Sequence, residues 1–327
     1  MKIRYLSILF LIILTACGEK TNEKKVPVSE EQKVPYIVFV TGEEEYRSEE
    51  SFPMLAKLAK RELGAKVSIA YSIDSLGYID PNRSDHISGL EALESADLMV
   101  LFMRFRNLPK KERDYITKYV ESGKPIVGFR TTTHAFKYDN DSTLAAFNEE
   151  WPAKVFGQQW ITHHGHFDDG KYPVTTISIK DGKEENPILN GFSEFEAYSW
   201  LYHVDGGDWQ LQGDSEPILM GHSTKSQHEI NGKLDQFSLD NPVAWTKSYT
   251  GTSGKTGRVF FTTLGHPYDF KLPVMRKIAM NGIYWALGKE NRIPEEGVNV
   301  TLETPFSPNN SGFGQKFKKK QKPITNF

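Results

Sequence analysis

The sequence predicts an α/β protein, an open parallel sheet with helices packed on both faces, on three observations. Short apolar runs alternate with segments of helical periodicity from Val34 to Phe129. Those runs are apolar on consecutive residues, as strands covered on both faces must be. No linker-like stretch divides residues 34–288, which predicts one domain with an elaborated second half.

Each element follows in order. "VPYIVFVTG" (Val34–Gly42) is an apolar run ending at Gly and predicts the first strand. Ser48–Leu63 predicts a helix with Ser48 as N-cap, Leu55, Leu58, Ala59 and Leu63 on one face, and Gly64 as its stop. "KVSIAYSI" gives a second strand, "GLEALESA" a short helix and Asp97–Phe105 a third strand. "PKKERDYITKYVESG" opens with Pro in the first helical turn, presents Tyr115, Ile116, Tyr119 and Val120, and ends at Gly123. "KPIVGF" is the fourth strand. The second half offers strands "YPVTTISI", "EPILMGH", "NPVAWTK" and "GRVFFTTLGH" between longer loops, then a closing helix, "PVMRKIAMNGIYWALG". No internal repeat is present.

The 327 residues carry a formal net charge of −2, so no global field favours nucleic acid as a partner. Residues 1–16 read as a secretory signal: Lys2 and Arg4, an apolar stretch from Leu6 to Leu14, then small residues, too short to span a membrane. Leu14-Thr15-Ala16-Cys17 has the form of a bacterial lipobox, with Cys17, the only cysteine, as the lipidated residue that would hold the protein to a membrane. The mature chain then has no disulfide, thiolate ligand or cysteine nucleophile. Gly18 after Cys17 points to a cell-envelope lipoprotein in the outer membrane of a Gram-negative bacterium. Residues 17–33 read as a charged, disordered tether. Residues 289–327 read as a basic, largely irregular tail with lysines at 316, 318, 319, 320 and 322. A solvated tail is expected there; adhesion to anionic lipid or polysaccharide is the alternative.

Ligands of open parallel sheets bind beyond the carboxyl ends of the strands. Glu43, Glu44, Glu45 and Arg47 follow the first strand, Arg104 and Arg106 the third, Arg130 to His134 the fourth, and His266 a late one. Acids, arginines and histidines therefore gather on one rim. A solvated loop for the glutamates and capping for Thr131–Thr133 are the structural alternatives. "QQWITHHGHF" places His163, His164 and His166 beside Trp160, which suits either a divalent metal such as zinc or acid–base work by neutral imidazoles. The spacing is not that of a helical metal motif. "EAYSWLYHVDGGDW" adds His203 on a segment that is either a flap or a strand edge. No G-x-S-x-G is present, which removes a serine-type triad.

Together, "VTGEEEYRSEESFPMLAKLAK", "GLEALESADLMVLFMRFRNLP", "SGKPIVGFRTTTHAF", "FGQQWITHHGHF" and "NPVAWTK…GRVFFTTLGHPYDF…NGIYWALG" resemble the ThuA-like, or trehalose-utilisation, family. The resemblance runs from about Pro35 to Gly288 and implies a flavodoxin-like fold similar to class I glutamine amidotransferases. Arg130 stands where the resemblance would put the amidotransferase nucleophile. Arginine cannot attack a carbonyl, so glutaminase activity is not expected. The resemblance implies instead sugar catabolism beside oxidoreductases that make 3-keto-glycosides. On that reading His134, His164, His266 and Glu44 are the catalytic candidates. Arg104, Arg106, Arg130, Thr131, Trp160 and His203 are those for substrate binding. Isomerisation, elimination or hydrolysis of a saccharide or keto-saccharide is the expected chemistry, and non-catalytic saccharide binding for partner enzymes is the alternative.

Overall fold

A computed structural model of the chain describes residues 33–327. The signal at 1–16, Cys17 and the tether at 17–33, save Lys33, lie outside the described residues. Consecutive apolar residues form β1 (Tyr36–Gly42), β3 (Leu98–Met103) and β4 (Ile126–Phe129), with β2 (Lys66–Ala70) at the edge. Side chains alternate across the sheet. Ile37 and Phe39 of β1 join a core with α1 (Ser48–Leu63) and the closing helix, whereas Val38 and Val40 join one with α2 (Lys110–Glu121). Both faces are covered, as the unbroken apolar runs require.

The later chain contributes α3 (Glu150–Phe156), β5 (Thr162–His163), β6 (Thr175–Ile179), β7 (Phe195–Ala197) and β8 (Tyr202–His203). It continues through β9 (Glu216–Ser223), α4 (Gln227–Ile230), β10 (Asp240–Thr250), β11 (Thr256–Thr262) and α5 (Pro273–Ala286). Strand order in the main sheet is β2-β1-β3-β4-β11-β10-β9-β6-β7. The first five are parallel, in the order of flavodoxin-type sheets. Beyond β11 every pairing is antiparallel, because the connection from β10 to β11 is a short hairpin rather than a crossover.

Two expectations change. Ser48 is the first helical residue and not the cap; Arg47 occupies the cap position in left-handed conformation, φ 60°, without a side-chain cap. Residues 289–327 are irregular apart from a 3-10 turn at Glu290–Arg292, yet they are not a solvated tail. Ile293, Val298, Val300 and Phe317 are buried. Arg61 and Arg276 donate to carbonyls of Asn299, Val300 and Thr301, and Lys318 pairs with Glu50 at 2.5 Å. Val34–Phe327 therefore packs as one unit.

Candidate functional site

The parallel strands deliver their ends to one rim. Three residues that follow them are non-glycine and left-handed: Arg47 after β1 (φ 60°), Phe105 after β3 (φ 49°) and Arg130 after β4 (φ 40°). Each costs about 1–3 kcal/mol and persists because its surroundings over-determine it. β1 and β3 are neighbours although β2 lies between them in the chain, so the rim sits at the topological switch point.

Glu44 joins the two strand ends, accepting from both Arg104 Nη1 and Arg106 Nη2. Arg106 is buried and spends its other donors on the carbonyls of Arg104 (2.6 Å), Pro81 (3.0 Å) and Arg83 (2.8 Å). Four of its five N–H donors are thus used within the protein, and it braces the rim. Arg104 keeps Nε 3.3 Å from Glu45 Oε2 and lies between the rings of Phe105 (4.4 Å) and Phe313 (4.9 Å). Burial raises the Glu45 pKa, against the pull of Arg104 and Arg130. Glu43 is fully buried, and burial with repulsion from Glu44 and Glu45 pushes its carboxyl up to about 8. It accepts from the Tyr46 N–H at 2.7 Å.

The elbow is a 3-10 turn, Arg130–His134, buried throughout. The Arg130 guanidinium is held between the rings of Tyr46 (4.3 Å) and Tyr202 (4.4 Å). It donates to the carbonyls of Thr263 (2.8 Å) and Trp200 (3.2 Å) and to the Tyr46 hydroxyl (3.1 Å). Thr132 and Thr133 hydroxyls close on carbonyls of Leu101, Phe129 and Arg130. Thr131 is fully buried. The turn is a clamp that fixes two tyrosines, and the Thr131 hydroxyl is buried without a hydrogen bond among the described residues.

His134 does reach the rim. Its ring packs against Phe105 (4.9 Å) and Trp160 (5.2 Å), and its Nδ1 is buried without a hydrogen bond among the described residues. Burial, then Arg104 and Arg130, hold its pKa well below the usual range, so it is neutral. The "HHGH" segment divides. His163 and His166 meet edge-to-face and both pack against Trp200, while His164 turns away to Ser226 Oγ (2.7 Å) and the His228 ring (5.2 Å). His203, bonded to the Gly206 carbonyl at 3.1 Å, packs on Phe237, which also stacks on His228. Burial lowers His163 to about 3 and His164 to about 4.

Among the described residues, no group of three or more His, Cys, Asp or Glu is placed to hold a metal ion. The divided histidines are the reason, so the zinc reading finds no donor set there. His266 is buried, and its Nδ1 accepts from the Tyr268 N–H at 3.0 Å. Nε2 therefore carries the proton and donates to Ser311 Oγ (3.0 Å), which in turn donates to Asp169 Oδ1. Sequence reasoning missed Ser311 altogether, because nothing in the sequence ties residue 311 to β11. It also passed over Glu45 in favour of its neighbour Glu44, since three consecutive glutamates carry no sign of which faces inward. Two cavities, of about 980 and 830 Å³, are lined by helix and C-terminal residues and not by the rim histidines.

Residues 37–286 match the ThuA family, described as trehalose utilisation. Among solved structures, a ThuA-like protein from Bacteroides uniformis is similar at 18% identity, with a TM-score of 0.45, covering 78% of this chain and 92% of that one. Another from Parabacteroides merdae is similar at 14% identity and a TM-score of 0.47, covering 88% of this chain and all 100% of that one. No curated protein matches.

Proposed function

Since the chain belongs to the ThuA family, and with it to trehalose utilisation, we propose that the rim binds a saccharide or 3-keto-saccharide and acts on it by acid–base chemistry. One observation carries this reading. Phe313, Arg104, Phe105, His134, Trp160, His163, His166 and Trp200 follow one another in an unbroken arc of planar groups, with neighbouring centres 4.4–6.3 Å apart. Trp160 and Phe313 are exposed large apolar residues, at 37% and 51%. Planar groups take the apolar faces of sugar rings, and Arg104 and Glu45 supply fixed partners for oxygens.

Within that arc Arg104 would polarise a carbonyl, and the neutral His134 would accept a proton from the adjacent carbon. Glu45, its pKa raised by burial, would return a proton to the departing oxygen. His266 acts through Ser311 and Asp169 at the edge of the rim. His164 and His203 lie in the separate cluster with His228 and take no part in this step. Glu44 and Arg106 hold Arg104 in place, and Arg130 and Thr131 shape the elbow. Glutaminase chemistry has no nucleophile here, because Arg130 follows β4 and Cys17 is the only cysteine. Oxidoreductases that form keto-sugars are the matching partner class.

Turnover of a 3-keto-glycoside tests the reading. Wild type is expected to consume it, with His134→Ala lowering kcat/KM by about 100-fold or more. Binding without turnover would favour the non-catalytic saccharide-binding reading; no binding of glycoside or keto-glycoside would overturn both.

We further propose that lipidation of Cys17 places the domain in the cell envelope, at the outer membrane. No helix among the described residues is long and apolar enough to cross a membrane. Cys17→Ala is expected to shift the protein from the membrane fraction to the soluble fraction. A variant that stays with the membrane would remove lipidation as its anchor.

A further inference from the structure

We propose that the cleft between α1 and residues 302–327 is a second binding site, separate from the rim, for a small sugar carrying an anionic group. The cleft has a volume of about 830 Å³ and is walled by α1 on one side and the C-terminal segment on the other. Glu49 lines it with a side chain only 6% exposed. Both of its carboxyl oxygens are buried and without a hydrogen bond among the described residues. Its nearest cation, Arg47 Nη1, is 3.6 Å from Oε1, beyond hydrogen-bonding reach. Glu50 adds a second unbonded buried oxygen, Oε1, while its Oε2 takes Lys318 (2.5 Å) and the Asn309 N–H (3.2 Å). Leaving such groups unpaired costs about 1–3 kcal/mol each, and ligand hydroxyls placed against them recover that cost.

The chemistry of the walls narrows the ligand. Burial raises the Glu49 carboxyl to about 7, so near neutrality it can both donate to and accept from hydroxyls. Pro53, Met54, Phe306 and Phe327 give apolar surface for the faces of a sugar ring. Lys57 and Lys60, exposed and three residues apart on α1, line the cleft and form no hydrogen bond or ion pair among the described residues. That pair attracts a carboxylate or phosphate and repels an ammonium. An acyl chain would offer neither Glu49 oxygen a hydrogen bond and so recovers none of that cost. The cleft is walled off from the rim by Arg47, which donates to the carbonyls of Asn310 (3.3 Å) and Gly312, and by the Gly312 N–H on the Glu45 carbonyl (2.7 Å).

Isothermal titration of the full chain in detergent with glucose, glucuronate and glucose 6-phosphate tests the site. At least one anionic sugar is expected to bind with Kd below about 1 mM, and glucose about tenfold more weakly. The double variant Lys57→Ala/Lys60→Ala, on exposed positions that do not carry the fold, is expected to weaken the anionic sugar about tenfold and leave glucose unchanged. Glu49→Leu is expected to abolish binding of every sugar at this site. His134→Ala, which removes the proposed rim chemistry, is expected to leave this affinity intact, so the two sites succeed or fail independently. A carboxylate-only or phosphate-only preference identifies which anion the lysines read. No binding of either anionic sugar, or binding that the lysine variant does not weaken, overturns the proposal.

Discussion

Glu43 and His163 move in opposite directions for one physical reason, since burial penalises whichever form is charged. Glu43 rises from 4.5 to about 8, so the folded state holds a proton that the unfolded state releases between those values. Its contribution to stability is full below about 4.5 and is lost as pH rises through about 8. His163 falls from 6.5 to about 3, and its contribution is full above 6.5 and lost as pH falls toward 3. Glu43→Gln keeps an acceptor for the Tyr46 N–H and removes the ionisation. Urea unfolding is expected to show this variant more stable than wild type at pH 8, by on the order of 2–4 kcal/mol, with the gap closing by pH 5. A constant difference across pH would show that Glu43 is ionised in the folded state. Histidine proton NMR gives the complementary check: the His163 ring is expected to show no titration between pH 7 and 5. At this scale the sequence was readable where residue type alone decides, as for Arg130, which cannot be a nucleophile. It was opaque where direction decides. Glu43, Glu44 and Glu45 are identical letters, yet one is sealed under the turn, one braces two arginines and one meets Arg104.

Helical and strand periods were legible in the elements that build the parallel half. α1 has the predicted bounds, and β1, β3 and β4 fall inside their apolar runs. What the periods could not reveal was pairing. β9, β10 and β11 were read as strands, but their antiparallel ladder depends on the hairpin after Thr250, and the two-residue β5 and β8 are too short to leave a period. The cap of α1 was misread for a similar reason, because Arg47 is fixed by carbonyls of residues 310 and 312, which no local window contains. Closeness between elements is equally hidden. Gly282 of α5 lies against β11 so tightly that a Cβ would stand 2.1 Å from Phe260 Cδ1. Gly282→Ala gains about 0.5–1 kcal/mol of helix propensity, but displacing the Phe260 ring costs about 1–3 kcal/mol. A net loss is expected, read as a lower urea midpoint with unchanged slope; a gain would mean that α5 can shift away from the sheet freely.

Across the whole molecule, the family match ends at residue 286, while the rim and the second cleft both depend on residues beyond it. Ser311 completes the path from His266 to Asp169, Phe313 covers Arg104, and Ile293, Val298, Val300 and Phe317 bury apolar surface. Ending the chain at Gly288 is therefore expected to lower the thermal midpoint and to weaken saccharide binding at the rim; unchanged binding would show that the arc works without Phe313. Composition concealed this, since a lysine-rich segment with few apolar residues has the look of a free tail. The contact between Arg47 and Asn310 spans 263 positions of sequence. During synthesis Arg47 leaves the ribosome first with only the neighbouring Glu44 and Glu45 carbonyls and Glu49 for its guanidinium, and lacks its contacts to Asn310 and Gly312 until those residues follow. Ribosomes add about 5–20 residues per second, so the nascent chain carries an open rim for on the order of ten seconds or longer. A polypeptide stalled in that interval can hold its parallel sheet and still lack a finished binding surface.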